Sequence, residues 1–161
     1  KLVSIEMIEA VGHHYLETYL KKCNELLTVD GLALIQAITI EDYRYQQALK
    51  SVDFIKKYIF PGSFIPSVSE ILRVNAQATQ MKLFNMEDFG ISYAHTLNEW
   101  SQRFSKKSSE LQELGYDEQF QRMWNFYFSY CEGGFLERSI SVVHLLFTKP
   151  HSRKQQILTI A

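Results

Sequence analysis

The sequence predicts an α/β fold, and within that class the C-terminal half of a doubly wound sheet. The elements alternate as strand, helix, strand, insert, helix, strand, two helices and strand. The nearly unbroken apolar run LALIQAITI (32–40) is typical of a strand buried on both faces of a parallel sheet. No GxGxxG-like stretch is present, although a phosphate-binding glycine loop follows the first strand of such sheets. These three observations predict the part of the fold that lies after that loop.

The first half of the chain predicts a βαβ unit followed by an insert. Residues 1–7 (KLVSIEM) predict a strand, and residues 15–27 predict an amphipathic helix because apolar side chains recur at helical spacing. The turn Asp30-Gly31 leads into the buried strand. Residues 41–50 (EDYRYQQALK) are polar and predict a loop or lid, whereas residues 52–60 predict a short aromatic helix.

The second half contains signals for three more helices and two more strands. Pro61-Gly62 and Pro66 mark a turn, and the sequence SVSE from Ser67 is a capping box that opens a helix ending near residue 79. Residues 81–89 alternate as in a half-buried strand.

Two long helices and a last strand follow. The helices are predicted over residues 93–107 and 117–135, separated at Gly115, with Asp117 as N-cap and Gly133-Gly134 as the stop. Residues 139–148 predict the final strand. One domain is expected over residues 1–150, and residues 151–161 form a tail with no assigned structure.

Composition narrows the class of function. The 161 residues carry a net charge of −1 with no basic stripe, which argues against nucleic acid as the main partner. Aromatic residues make up 14% of the chain, and this much ring area indicates either core or the lining of an apolar site. The two cysteines, Cys23 and Cys131, lie far apart without metal-ligand spacing, so a reducing compartment is expected. A start inside an apolar strand, without Met, suggests a fragment of a longer chain.

Four stretches, in this order, carry a family resemblance: SIEMIEAVG (4–12), KKYIFPGSFIPSV (56–68), YAHTLNEW (93–100) and FQRMWNFYFSYCEGGF (120–135). Together they resemble the cyclopropane-fatty-acyl-phospholipid synthases, a family that includes the mycolic acid cyclopropane synthases. The resemblance extends from about Leu2 to Pro150.

The resemblance implies a class I S-adenosylmethionine-dependent methyltransferase of Rossmann-like fold, with helical insertions. The chain would begin at the fourth strand of that sheet, with strands four, five, seven and six side by side and the last strand antiparallel. The N-terminal half, which carries the main S-adenosylmethionine site in this family, would be absent. A chain cut in this way has an open sheet edge, so we expect it to form a homo-oligomer through residues 1–7 or a neighbouring surface.

The resemblance also implies a reaction. In the family, the double bond of an unsaturated phospholipid acyl chain attacks the sulfonium methyl, a base removes a proton, and a cyclopropane ring closes. A bound bicarbonate ion is that base. The implied location is cytoplasmic, in peripheral contact with the inner membrane face, and no metal is implied.

Five site residues are implied by the resemblance. Glu9 matches a glutamate that holds bicarbonate, although a carboxylate there could instead cap the following helix. Tyr93 matches a tyrosine whose hydroxyl reaches the same ion, and Ile38 matches a position that acts through its backbone N–H. An ordinary helix-face aromatic and a plain strand residue are the alternatives. Cys131 matches a cysteine once proposed as a nucleophile, but a packed core cysteine is the simpler interpretation.

Gln36 is the fifth residue and departs from the family, because better-known members carry His at this position. A glutamine amide can donate and accept hydrogen bonds, but it cannot take a proton at neutral pH. Three alternatives therefore stay open for function. The product is a cyclopropane, or a methyl-branched or methylated unsaturated chain, or this polypeptide by itself is a non-catalytic lipid-binding or dimerisation half.

Overall fold

The computed structural model describes residues 1–153 and contains four strands and six α-helices in that part of the chain. The strands are β1 (Leu2–Ile5), β2 (Leu32–Ile40), β3 (Lys82–Asp88) and β4 (Ile140–Thr148). The helices are α1 (Leu16–Leu26), α2 (Asp42–Lys50), α3 (Val68–Ala78), α4 (Gly90–Lys106), α5 (Ser108–Glu113) and α6 (Glu118–Leu136). Two 3₁₀ turns at Ile8–Ala10 and His13–Tyr15 and a π-helical turn at Ile55–Ile59 complete them. Residues 154–161 of the tail lie outside the described part.

The sheet has the order β1-β2-β4-β3, which confirms the predicted strand order. β1 runs parallel to β2, and β3 runs antiparallel to β4. The backbone N–H of Lys149 donates to the carbonyl of Gly31 at 2.9 Å, and the His144 side chain contacts Gln36 in mid-strand, so β4 runs antiparallel to β2. β3 is an edge strand and more exposed than the predicted half-buried pattern, since only Phe84 is partly buried.

The chain divides into two compact units, Lys1–Asp88 with the segment from Val142 onward, and Phe89–Ser141. In the first unit, helices α1 and α3 contribute their apolar stripes to the same core as the sheet. The central buried side chains of that core are Leu16, Leu20, Ile35, Ile71, Leu145 and Phe147. Because this core covers one face of the sheet, the strand residues that do not join it lie on the opposite face.

Burial of β2 on both faces is not observed. Its residues alternate, with Ala33, Ile35 and Ala37 fully buried and the intervening Gln36 and Ile38 only partly buried. The reason is that the core built with α1 and α3 takes every second residue of the strand. The opposite face presents Gln36 and the β1 side chain of Ile5, which are register partners.

The predicted loop or lid at residues 41–50 is wrong, because this segment is helix α2. Its one buried side chain, Tyr45, is 5% exposed and joins the core of the first unit. At its N-terminus the Asp42 carboxylate accepts from both the N–H and the hydroxyl of Ser69. A single anchoring ring is too weak a sequence pattern to reveal a helix whose other residues are mostly polar.

The predicted N-caps are confirmed, and the predicted glycine stop is wrong. The Ser67 hydroxyl accepts from the Glu70 N–H, and the Asp117 carboxylate accepts from the Phe120 N–H. Helix α6 passes through Gly133-Gly134 and ends at Leu136. A Cβ at Gly134 would lie 3.1 Å from the Ile140 side chain, so this glycine permits a close approach between chain segments.

The second unit is built on the antiparallel pair α4 and α6. The ring of Tyr93 lies 5.2 Å from that of Phe135, and at the other end Phe104 lies 5.5 Å from Phe128. Short helix α5 is tied to α6 because the buried Gln121 side chain bonds the Ser108 hydroxyl at 2.5 Å. Part of the aromatic content of the sequence is thus used for packing between these helices.

Candidate active site

A tight turn after β1 positions the acidic residue Glu9. The turn opens with Glu6 at a φ of 47° and closes with Gly12 at a φ of 76°, both in the left-handed region. Between them Ile8 is fully buried and anchors the 3₁₀ turn that carries Glu9. The carboxyl ends of β1 and β2 meet here, which is the edge where open α/β sheets bind ligands.

The proline-glycine segment of the insert holds this turn from outside. The backbone N–H of Phe64 donates to the Glu9 carbonyl at 3.1 Å, and the Phe64 ring is 3% exposed. The carbonyl of Pro66 accepts from the N–H of Ile40 at 3.0 Å, which ties the same segment to the end of β2. The PGSFIP sequence therefore serves to fix the Glu9 backbone.

The Glu9 carboxyl has one held oxygen and one oxygen without a partner. Oε1 accepts from the Ile38 N–H at 2.6 Å, whereas Oε2 is buried and has no hydrogen bond to any described residue. Burial raises the pKa of Glu9 to about 7, against the lowering effect of hydrogen bonds from its own N–H and that of Ile38; the Glu6 charge adds a smaller upward push. Near neutral pH the group can therefore hold or release a proton at Oε2.

Ile38 is used through its backbone, as the resemblance implies, but in this structure its N–H bonds the Glu9 carboxylate itself. The bond supports the functional interpretation of Glu9 over the alternative of a helix cap. No side-chain cap bond is present at either 3₁₀ turn or at the start of α1, and Tyr15 is the N-cap residue of that helix.

Gln36 lies two residues before Ile38 on the same side of β2 and is held by two neighbouring strands. Its Nε2 donates to the Glu6 carboxylate at 2.8 Å, and its Oε1 lies 2.9 Å from Nε2 of His144 on β4. Its backbone carbonyl also accepts from the Glu6 N–H at 3.0 Å. Glu9, Ile38 and Gln36 therefore share one cluster in the first unit.

Tyr93 and Cys131 belong to the second unit. Tyr93 is partly buried on α4, where its ring also lies 6.4 Å from that of Trp100. Cys131 is a partly buried thiol on the aromatic helix α6. Their parts in a site stay predictions of the resemblance.

Two residues of the cluster, Glu6 and His144, were missed by the sequence analysis. Gln36 interrupts the apolar strand LALIQAITI, and His144 interrupts SISVVHLLFT in the same way. Since a polar side chain inside a sheet requires a hydrogen-bond partner, two such interruptions on separate strands are a signal of pairing. Glu6 gave no comparable signal, because it stands in a predicted strand end.

In the described part of the chain, no group of three or more His, Cys, Asp or Glu side chains could hold a metal ion. None of the helices that the structure describes combines the length and apolar character needed to cross a membrane.

Known proteins resemble this chain in sequence and in fold. It is 38% identical over 134 residues to the tuberculostearic acid methyltransferase of Mycobacterium tuberculosis, an alignment covering 83% of this chain and 31% of that protein. It is 33% identical over 152 residues to the cyclopropane-fatty-acyl-phospholipid synthase of Escherichia coli, covering 92% and 37%. The chain thus spans about a third of the length of these relatives.

A solved mycolic acid cyclopropane synthase, complexed with SAH and CTAB, has the same fold. The TM-score is 0.80 at 24% identity, covering 91% of this chain and 54% of that one. Residues 1–145 also match the family described as mycolic acid cyclopropane synthetase. The strand order, the four motifs and these matches agree, and the chain belongs to the mycolic acid cyclopropane synthetase family.

Proposed function

We propose that the protein containing this chain transfers a one-carbon unit from S-adenosylmethionine to the double bond of an unsaturated phospholipid acyl chain, and that the product is a cyclopropane. The observation that carries the proposal is Glu9, whose buried Oε2 has no partner among the described residues at the ligand-binding edge of the sheet. Family membership supplies the class of reaction, and a relative named for cyclopropane fatty acyl phospholipid synthesis supplies the substrate class.

The Glu9 cluster fits a small anion such as bicarbonate. A carboxyl that is protonated near neutral pH can donate from Oε2 to an anion, which an ionised carboxylate would repel. Because Oε1 is already held by the Ile38 N–H, the proton is directed to the oxygen without a partner. Glu9, with the neighbouring amide of Gln36, would hold the ion that serves as base.

Glu9 also suits the proton balance of ring closure. One proton must leave the transferred carbon while its bonding electrons form the last ring bond. The bound anion would take up this proton, and Glu9, whose pKa is raised to about 7, can then pass a proton on to solvent at working pH. Tyr93 is proposed as a second contact to the ion through its hydroxyl, as the resemblance implies, and Cys131 is proposed as a packing residue.

A second product is favoured by Gln36 and by one of the relatives. Gln36 cannot accept a proton, and the relative with 38% identity is named a tuberculostearic acid methyltransferase. A methyl-branched or methylated unsaturated chain is therefore the second candidate. Peripheral contact with the inner membrane face, a cytoplasmic location and homo-oligomerisation accompany the proposal as predictions.

The proposal is tested with the full-length protein in a bacterium that lacks its own cyclopropane synthase. Extracted phospholipids are examined by mass spectrometry for acyl chains heavier by one CH₂, and the new chains are then hydrogenated. Chains that take up no hydrogen contain a ring; chains that take up hydrogen support the second candidate. Glu9→Gln should abolish the new chains, whereas the exposed control Glu113→Gln should leave them unchanged. Absence of any heavier chain from the wild-type protein would refute both candidates.

A further inference from the structure

We propose that Glu6 and His144 are positioning residues that act through Gln36 and hold the turn carrying Glu9 against β2. The inference deepens the proposed function, because it assigns roles to residues that touch the Glu9 turn rather than the substrate. It also gives Gln36 a second role beside binding the ion, which is to hold Glu6 in place. Three hydrogen bonds that link β1, β2 and β4 carry it.

Gln36 forms two hydrogen bonds with Glu6. Its backbone carbonyl accepts from the Glu6 N–H at 3.0 Å, and its side-chain Nε2 donates to Glu6 Oε1 at 2.8 Å. Glu6 is in the left-handed region at a φ of 47°, which a residue with a Cβ adopts only when its surroundings impose it. The two hydrogen bonds from Gln36 hold Glu6 in this conformation. The left-handed backbone of Glu6 in turn directs the chain into the turn that carries Glu9.

His144 fixes the amide of Gln36. A carboxylate such as Glu6 can only accept hydrogen bonds, so the NH₂ group of Gln36 must face it and Oε1 must face the imidazole. Nε2 of His144, at 2.9 Å from Oε1, must then carry a proton and donate. The network thus requires either the neutral Nε2–H tautomer of His144 or the imidazolium ion, and excludes the neutral Nδ1–H tautomer.

His144 is a polar residue in an apolar strand, where a polar side chain requires a hydrogen-bond partner. It is the one polar side chain in the run VVHLLF, and its neighbours Val143 and Leu145 are almost fully buried. Its other nitrogen, Nδ1, lies 3.9 Å from the exposed carboxylate of Glu87 on β3. A pair with one exposed partner at this distance contributes little, and the contact with Gln36 is much shorter.

The consequence for the site is geometric. Glu9 follows Glu6 by three residues, and its Oε1 bonds the N–H of Ile38, two residues beyond Gln36 on the same strand. Gln36 and Ile38 therefore hold the two ends of one short turn. Loss of the His144 donor leaves the amide of Gln36 free to rotate and releases the Glu6 end, so Oε2 of Glu9 would no longer occupy a fixed place.

The test uses the full-length protein with three variants: His144→Leu, which removes the donor, His144→Gln, which restores an N–H donor, and His151→Leu as an exposed control. Initial rates of lipid methylation and their pH profiles are compared, with folding checked by thermal melting. We expect His144→Leu to lose about tenfold or more in rate and to shift the pH profile. His144→Gln and the control should stay within about threefold of wild type. Unchanged kinetics in a folded His144→Leu, or a His144→Gln no better than His144→Leu, would overturn the inference.

An activity-independent readout separates this inference from the proposed function. Long-range ¹H–¹⁵N NMR of the full-length wild-type protein above pH 8 reports the neutral tautomer of His144. The inference requires Nε2–H, and the Nδ1–H tautomer would overturn it. If wild type methylates no lipid, the proposed function fails, while the tautomer still decides whether the Glu6–Gln36–His144 contacts exist.

Discussion

At the scale of single residues, Glu9 combines one satisfied oxygen with one buried oxygen that has no described partner. Burial of an acid in this way costs stability when the acid is ionised, because water no longer solvates the charge. Proteins keep such groups where chemistry needs them, and Glu9 lies at the ligand edge of the sheet. Its titration should therefore be visible in the stability of the protein.

A first prediction concerns the pH dependence of stability. Because the pKa of Glu9 rises from 4.5 to about 7 on folding, the native state binds more protons than the unfolded state between these values. The stabilisation is full below pH 4.5 and is lost as pH rises through 7. Between pH 5 and pH 8, wild type should lose about 2 kcal/mol more than Glu9→Gln in denaturant unfolding. Parallel pH dependences in the two proteins would contradict the raised pKa.

A second prediction concerns Cys131. This thiol is partly buried on an aromatic helix, and the proposed reaction requires no thiolate. Cys131→Ser should keep lipid methylation within about threefold of wild type in rate, since Ser differs little in size. Glu9→Gln is assayed in the same way and serves as the inactive reference. A loss in Cys131→Ser as large as in Glu9→Gln would restore the cysteine to the chemistry.

At the scale of elements, capping chemistry made some helix starts predictable. Ser67 and Asp117 were read from residue type and spacing alone, and each accepts the N–H bond expected of it. The strands were likewise predictable, because an apolar run is also a local sequence pattern.

Other elements depended on contacts that a local pattern does not contain. Helix α2 is anchored by the single ring of Tyr45, so its polar residues resembled a loop. Gly134 was taken as a stop although it serves a close approach to Ile140. The partners of Gln36 are distant in sequence, Glu6 by 30 residues and His144 by 108. The polar interruptions of two apolar strands indicate that Gln36 and His144 need partners, but the local pattern does not contain Glu6.

A third prediction concerns the cap of α3. The Ser67 side chain is 2% exposed and accepts the Glu70 N–H at 3.2 Å, so its removal leaves a donor without a partner. Ser67→Ala should lower the free energy of unfolding by about 1–2 kcal/mol. Ser105→Ala, at an exposed position in the last turn of α4, is the control and should change stability by less than about 0.5 kcal/mol. Equal values for the two variants would argue against the cap.

At the scale of the molecule, the 161 residues carry Glu9, Gln36 and Ile38 in one unit, yet span only about a third of the curated relatives. No glycine-rich phosphate loop is present in this sequence. The proton-handling part of the proposed reaction and the main cofactor site are therefore expected on different parts of the full-length protein.

A fourth prediction follows for cofactor binding. The isolated 161 residues should bind S-adenosylmethionine poorly or not at all, because they lack the loop that binds the cofactor in doubly wound sheets. Isothermal titration calorimetry of this polypeptide, with the full-length protein as positive control, measures the affinity. A 1:1 complex at micromolar affinity would contradict this division of the site.

A fifth prediction concerns association of the isolated chain. β1 is an edge strand of the sheet, and its side chains Val3 and Ile5 are 66% and 53% exposed. Exposed apolar edges tend to pair, so the isolated polypeptide should self-associate, and Val3→Lys with Ile5→Lys should weaken this. Val29→Lys, at a 70% exposed position outside the sheet, is the control. Light scattering showing a wild-type monomer at high concentration would refute the prediction.

The most direct test of the central claim is isotope transfer by the purified full-length protein. It is incubated with S-adenosylmethionine carrying a trideuterated methyl group and with vesicles of unsaturated phospholipid, and the acyl chains are analysed by mass spectrometry. Methylene transfer with loss of one deuteron from the transferred carbon predicts acyl chains that gain one carbon and two deuterium atoms and then resist hydrogenation. Acyl chains that gain no deuterium would contradict the account.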